Sequence, residues 1–161
     1  MVYTYEDFLQ SVAEEDRAFV EQMHARFLEF DCKADVKEAK QGFAVSYYYL
    51  KEKKKIVIMN YVFRKKGMLV RIYARHIDRY QQVLNCLPEA MKMDVIKGGD
   101  CKRLTGVSAC SPTCTAGYEF EMDGKKYQKC KNSAFFWLVS SDSKDFILQI
   151  LENELRAVKL K

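Results

Sequence analysis

Three stretches of strand-forming residues follow one another in the middle of the chain, with short polar links between them. They are FAVSYYYL (43–50), IVIMNYVF (56–63) and MLVRIYA (68–74), and all are rich in Val, Ile, Tyr or Phe. Such residues favour extended structure, and links as short as KEKKK and RKKG are typical of hairpin connections. The pattern therefore predicts an antiparallel meander. Apolar residues alternate on both faces of its second strand, so we expect both faces of the sheet to be at least partly covered.

Helical periodicity flanks this meander on both sides. Residues 4–30 are predicted to form one amphipathic helix capped by Thr4, with an apolar stripe of Phe8, Val12, Phe19, Met23 and Phe27. A last helix after Asp142 has an apolar stripe made of Phe146, Ile147, Ile150, Leu151 and Leu155. Two shorter helices are predicted at 78–87 and 88–97, because Pro88 disfavours helical geometry in the residue before it. The predicted fold class is α+β, a curved antiparallel sheet with helices packed on it, and residues 1–161 have the size of a single domain.

This order of elements resembles the YdhG-like family of small bacterial domains of unknown function. The resemblance rests on the meander, on the helix between Asp78 and Pro88, and on the ending NSAFFWLVSSDSKDFILQILENEL. It implies an α+β sandwich and no particular reaction. The segment 100–131, rich in cysteine, departs from the family pattern and resembles an insertion.

Four of the six cysteines lie in this loop and hairpin segment, with the spacing C-x8-C-x3-C-x15-C; they are Cys101, Cys110, Cys114 and Cys130. Zinc sites of four thiolates hold the metal at about 2.3 Å and pair their ligands through close C-x2-4-C spacings. Cys110 and Cys114 have that spacing, Cys101 could reach them from the preceding loop, and Cys130 could reach them from the far end of a hairpin that turns at Asp123-Gly124. The sequence therefore predicts a structural zinc site, with neighbouring lysines and arginine to offset its negative charge.

Other interpretations of these cysteines stay open. One is a disulfide, such as Cys110–Cys114, and another is a set of free thiols that act as a redox sensor through the same two residues. An iron–sulfur cluster fits less well, because the C-x2-C spacings typical of ferredoxins are missing. Cys32 and Cys86 stand apart, and Cys86 is expected to pack in an apolar helix face.

The start of the chain and its hydropathy bear on location. MVYTYEDFLQ has neither the basic nor the apolar region of a signal peptide, and the chain has no apolar run of about 18 residues that would cross a bilayer. We therefore expect a cytoplasmic protein without a membrane partner. A reducing compartment favours metal binding over disulfides for clustered cysteines.

Aromatic residues of the predicted sheet suggest a different class of function. A small-molecule pocket on the sheet would be lined by Tyr47, Tyr49, Tyr61 and Trp137, since such sites are apolar and aromatic. The competing interpretation is that these rings fill the core between sheet and helices.

No motif in the sequence indicates catalysis or nucleic-acid binding. Phosphate-binding loops, H-E-x-x-H and G-x-S-x-G are absent, so no catalytic residue is assigned. The basic clusters at 51–55 and 64–66 lie on successive turns of the meander, which places them at opposite ends of the sheet. This argues for solvated turns and against a phosphate-tracking groove.

Overall fold

The computed structural model describes residues 2–106 and 116–159. The α-helices are α1 (Tyr5–Ser11), α2 (Glu14–Glu29), α3 (Glu89–Lys97) and α4 (Lys144–Lys159). The strands are β1 (Lys33–Glu38), β2 (Phe43–Lys51), β3 (Lys54–Arg64), β4 (Gly67–Ile72), β5 (Tyr118–Met122), β6 (Lys125–Lys129) and β7 (Phe136–Leu138). Two 3-10 helices, Ile77–Arg79 and Gln81–Cys86, follow β4. None of the helices in the described ranges is long and apolar enough to cross a membrane.

Five strands form one antiparallel sheet in the order β1-β2-β3-β4-β7, and β5 and β6 form a separate hairpin. The predicted meander and the predicted α+β class are thus confirmed. The hairpin turns at Asp123-Gly124, as predicted, with positive φ at both residues.

One face of the sheet is buried against helices, and we call it the covered face. A row of directly opposed residues crosses all five strands on it: Val36, Val45, Tyr61, Val70 and Trp137. Tyr61 lies 5.1 Å from the Phe8 ring of α1, and Tyr47 stacks on Phe27 of α2 at 4.1 Å between ring centroids. The predicted stripes of both terminal helices supply this layer, and apart from the half-buried Phe146 all their residues are buried.

The opposite face, which we call the open face, is only partly covered. Because side chains alternate along a strand, it carries Ser46, Asn60, Arg71 and Phe136 in one cross-strand row and Ala44, Val62, Leu69 and Leu138 in the next. Most of these residues are half-buried, while Ala44 is exposed and Leu69 is buried.

The prediction of one helix over residues 4–30 was wrong, since α1 and α2 are separated at Val12-Ala13, where the backbone is extended. Thr4 does cap α1, and it forms a capping box with Asp7. Arg17 folds back to donate to the carbonyl oxygens of Val12 and Gln10 at the end of α1. The apolar stripe continues across the break because both helices pack on the same sheet face.

Two further segments differ from their predictions. From its charged composition the stretch between Lys33 and Gln41 is expected to be a connection to the meander, but Lys33–Glu38 forms the edge strand β1, where an exposed charged side is tolerated. Residues 78–87 were predicted as an α-helix and instead form short 3-10 turns.

A buried glutamate ties the C-terminal helix to the turn after β4. Glu154 of α4 is 1% exposed and accepts hydrogen bonds from the His76 backbone N–H (3.1 Å), from His76 Nδ1 (2.6 Å) and from the Tyr80 hydroxyl (2.6 Å). A buried carboxylate is tolerated only when its oxygens are satisfied, as they are here. In sequence His76 is flanked by arginines, whereas in the fold its ring faces this carboxylate.

Replacing Glu154 with Ala is expected to lower the free energy of unfolding by about 3 kcal/mol, because three buried donors lose their acceptor. Chemical denaturation measures this loss. Arg156→Ala, an exposed change on the same helix, is the control and should stay within about 0.5 kcal/mol of the parent protein. Equal stability of the two variants would show that the cluster does not stabilise the fold.

Candidate metal centre

Cys101 and Cys130 are brought together by a short strand pairing. Asp100 and Lys129 form an antiparallel bridge. The Cys101 N–H donates to the Gln128 carbonyl (2.8 Å), and the Cys130 N–H donates to the Gly99 carbonyl (2.7 Å). Residues 99–101 thus extend the hairpin by a third short strand beside β6, and they place the two cysteines on neighbouring backbones.

Gly117 allows a third stretch of backbone to reach the same place. A Cβ at this position would lie 2.1 Å from the Lys129 carbonyl oxygen and 3.2 Å from Cys101 Cβ, so only glycine fits. The Gly117 N–H donates to Cys101 Sγ at 3.2 Å. The chain that leaves residues 107–115 therefore passes directly against the Cys101 sulfur.

The surroundings of Cys101 favour its thiolate. The side chain is 6% exposed, and this burial by itself raises the pKa of the thiol. The backbone N–H groups of Gly117, Leu104 and Arg103, together with the Arg103 charge, outweigh that effect and lower the pKa below its ordinary value. Converging backbone N–H groups of this kind form an anion-binding concavity. The thiolate is also the form in which cysteine binds a metal.

Lys129 anchors this arrangement to the end of α3. Its ammonium group donates to the Ile96 carbonyl (2.8 Å), the Gly98 carbonyl (2.9 Å) and Asp100 Oδ1 (2.9 Å), and the residue is 6% exposed. A cation at a helix C-terminus satisfies carbonyl groups that lack a partner within the helix. This one residue connects β6, α3 and the segment that leads into Cys101.

Two of the four predicted ligands lie within the described residues. Cys101 is buried and Cys130 is half-buried, and both carry free thiols. Cys110 and Cys114 lie outside the described residues. Within 2–106 and 116–159, no three His, Cys, Asp or Glu side chains lie close enough together to hold a metal ion.

The aromatic residues predicted as a pocket are arranged mostly as core. Tyr47 and Tyr61 are fully buried, and Trp137 is 1% exposed with its indole N–H donating to the Met91 carbonyl (3.1 Å). Tyr49 is half-buried. The Tyr47 hydroxyl lies 2.8 Å from His24 Nδ1, and the ring of Tyr5 stacks on His24. With these contacts, the aromatic side chains fill the space between sheet and helices. Their burial does not support the predicted small-molecule pocket, which stays a prediction.

The two remaining cysteines have opposite environments. Cys86 was expected to be packed in an apolar helix face, and this was wrong because it lies exposed at the end of a 3-10 helix. Cys32 is 3% exposed, and burial, with a smaller contribution from Asp31, raises its pKa to about 11.

Gly117 and Lys129 are the residues of this site that sequence reasoning missed. Lys129 was one lysine among several, and nothing in the sequence distinguishes it from Lys125 or Lys126. Burial increases along β6 from the exposed Lys125 and Lys126 to the buried Lys129 and does not alternate, so no local pattern marks Lys129.

In comparisons with models of known protein families, with curated proteins and with solved structures, this chain matches none of them.

Lys129→Met is expected to lower the free energy of unfolding by about 2 kcal/mol, because buried carbonyl groups lose charge-assisted hydrogen bonds. Met keeps most of the side-chain volume, so the loss reports the ammonium group. The matched control is Lys126→Met on the exposed side of the same strand, for which chemical denaturation should detect little change. Similar losses in both variants would contradict the anchoring role.

The environments of Cys32 and Cys86 predict different alkylation rates. Iodoacetamide at neutral pH should label Cys86 rapidly and Cys32 hardly at all, because a pKa of about 11 leaves Cys32 almost fully protonated. Labelling of Cys32 should increase as the pH rises towards that value. Peptide mapping by mass spectrometry measures both rates, and fast labelling of Cys32 in the folded protein at neutral pH would contradict the prediction.

Proposed function

We propose that this protein is a cytoplasmic α+β domain in which one zinc ion, bound by four thiolates, fixes the loop and hairpin segment to the rest of the fold. The ligands would be Cys101, Cys110, Cys114 and Cys130. The observation that supports the proposal best is the buried Cys101 sulfur, which accepts the Gly117 N–H at 3.2 Å and lies beside the Arg103 and Leu104 N–H groups. Zinc-bound thiolates need such donors to offset their charge.

The role of the metal in this proposal is structural. Four thiolates complete the tetrahedral shell of zinc, which leaves no coordination position for a substrate. The net charge of such a site is about −2. Basic residues on both sides of it, among them Lys102, Arg103 and Lys131, would offset this charge.

The arrangement of the backbone favours the same conclusion. Cys101 and Cys130 are held on adjacent paired segments, and Gly117 lies beside Cys101. A metal ion there would close the loop between residues 101 and 117 against β6. The relation to the YdhG-like family is a separate proposal, which rests on the order of the elements alone.

A thiol redox sensor that uses Cys110 and Cys114 is the competing function, and both residues lie outside the described ranges. At Cys101 the lowered pKa is a property that reactive thiols share with metal ligands. A reactive cysteine also needs access to its oxidant, and Cys101 is 6% exposed. Burial thus favours the ligand role over the reactive one.

The proposal predicts about one zinc ion per chain in protein purified anaerobically without chelator, with all cysteines reduced. Cys114→Ser and Cys101→Ser should each lose the metal and should lower the melting temperature. In the parent protein a chelator should produce the same shift, and in these variants it should have no further effect.

Cys86→Ser is the matched control, because Cys86 is exposed and lies outside the segment. It should keep its zinc and its melting temperature. Cobalt substitution gives an independent measurement, since thiolate ligands produce charge-transfer bands whose intensity should fall in Cys130→Ser. Unchanged metal content in Cys114→Ser would refute the four-cysteine site, and absence of metal together with fewer free thiols would favour the redox function.

A further inference from the structure

A second candidate site lies on the open face of the sheet. A cleft of about 460 Å³ opens between α3 and the turn that joins β3 to β4. Side chains from β3, β4 and β7 and from the turn line it, together with one carboxylate from α3: Arg64, Lys65, Lys66, Leu69, Asp94, Phe136 and Leu138. Ligand sites of small molecules have volumes in this range.

The floor of the cleft is apolar and is built by strand pairing. Leu69 of β4 lies directly opposite Leu138 of β7, and Phe136 follows on the same face of β7. The Arg71 guanidinium lies 4.5 Å from the centre of the Phe136 ring, and its Nε donates to the Asn132 carbonyl (2.7 Å). The Arg71 guanidinium therefore packs over the Phe136 ring and is itself held by the Asn132 carbonyl.

A glycine keeps the basic turn close to this floor. Lys65 and Lys66 are the two turn residues between the paired Arg64 and Gly67. Gly67 has φ +132°, and a Cβ there would lie 3.2 Å from Leu138 Cδ1. The positive φ favours glycine, and the short distance to Leu138 shows that the end of the basic turn lies beside the apolar floor.

The charges around the cleft are uncompensated. None of Arg64, Lys65 and Lys66 forms an ion pair or a side-chain hydrogen bond with any residue in 2–106 or 116–159. On the same face Lys55 pairs with Asp35 at 2.7 Å. Three cations against the single carboxylate of Asp94 leave an excess of two positive charges beside an apolar surface.

We propose that this cleft binds a small anionic ligand with an apolar or aromatic body, such as an aryl or acyl carboxylate, sulfonate or phosphate. The body would lie over Leu69, Leu138 and Phe136, and the anionic group would pair with the basic turn. A long polyanion fits less well, because the next basic cluster, at 51–55, lies at the opposite end of the sheet.

The test is a titration with the fluorescent anion anilinonaphthalene sulfonate, followed by competition with two compounds that share a twelve-carbon tail, dodecanoate and dodecyltrimethylammonium. Dodecanoate, used as a monomer, should displace the dye, and the cation should not. The double variant R64Q/K66Q should weaken dye and dodecanoate binding about fivefold, the effect of losing two solvent-exposed charge pairs.

The matched control is K51Q/K53Q, which removes two charges from the turn at the opposite end of the sheet and should leave the affinity unchanged. Leu138→Ser, checked for folding by its thermal transition, should weaken the binding of both anions because it makes the floor polar. Equal affinity of R64Q/K66Q and K51Q/K53Q, or equal displacement by the cation, would overturn the proposal. Binding to anionic lipid vesicles without binding to monomeric dodecanoate would also overturn it, in favour of a membrane surface.

Discussion

The burial of one face of the five-stranded sheet is the constraint on which the rest of the structure depends. The pleat alternates side chains, so a row such as Val45, Tyr61 and Val70 can be removed from water only if every strand keeps its register. A bulge shifts the register of β2 and β3 between Tyr47 and Tyr48, which lies outside this row. All the elements that cover the aromatic rings of this face must therefore lie on one side, and the other side is left with mixed polar and apolar residues.

The candidate metal centre follows from the same constraint. Phe135 packs on the covered side of the segment that leads into β7, and the rings of Tyr118 and Phe120 lie 5.5 and 5.3 Å from it between centroids. The backbone N–H groups of Glu121 and Asp123 are bound by the side chains of Gln81 and Asn85 in the second 3-10 helix. Strand β5 is therefore fixed by aromatic packing on one side and by the amide side chains of Gln81 and Asn85 along its backbone. The other strand of the hairpin, β6, can then pair with residues 99–101.

The sequence predicted the parts of the fold that depend on local patterns. The meander, the Asp123-Gly124 turn and the stripe of α4 were found because strand alternation, turn residues and helical spacing are read over a few residues. The strand β1 was missed because an edge strand with alternating charge has the composition of a loop. The break at Val12-Ala13 was missed because the apolar stripe runs through it without a change of period.

The site was less predictable than the fold. Spacing indicated Cys101 and Cys130 only as two of four ligands, and the backbone pairing of 99–101 with β6 that makes them neighbours was not predicted. The roles of Lys129 and Glu154 were not predictable, because each binds groups from segments more than 25 residues away. The sequence does not show whether a given lysine or glutamate is buried. Its burial is determined only by how the segments pack together in the fold.

A zinc ion in this protein would therefore order a segment and would not create the fold. Two-stranded hairpins are marginal by themselves in water, and small zinc domains unfold when the metal is lost. Here β5 and β6 are already held by aromatic packing, by the Lys129 ammonium and by the Lys92–Asp123 ion pair at 3.0 Å. All these contacts are formed by residues outside 102–116, which we call the cysteine loop. The Cys101 sulfur lies beside both the Leu104 N–H, just after it in the chain, and the Gly117 N–H, at the far end of the cysteine loop. If the proposed zinc ion binds there, its physical effect is expected in that loop, and the core beneath it is stabilised independently by the covered face of the sheet.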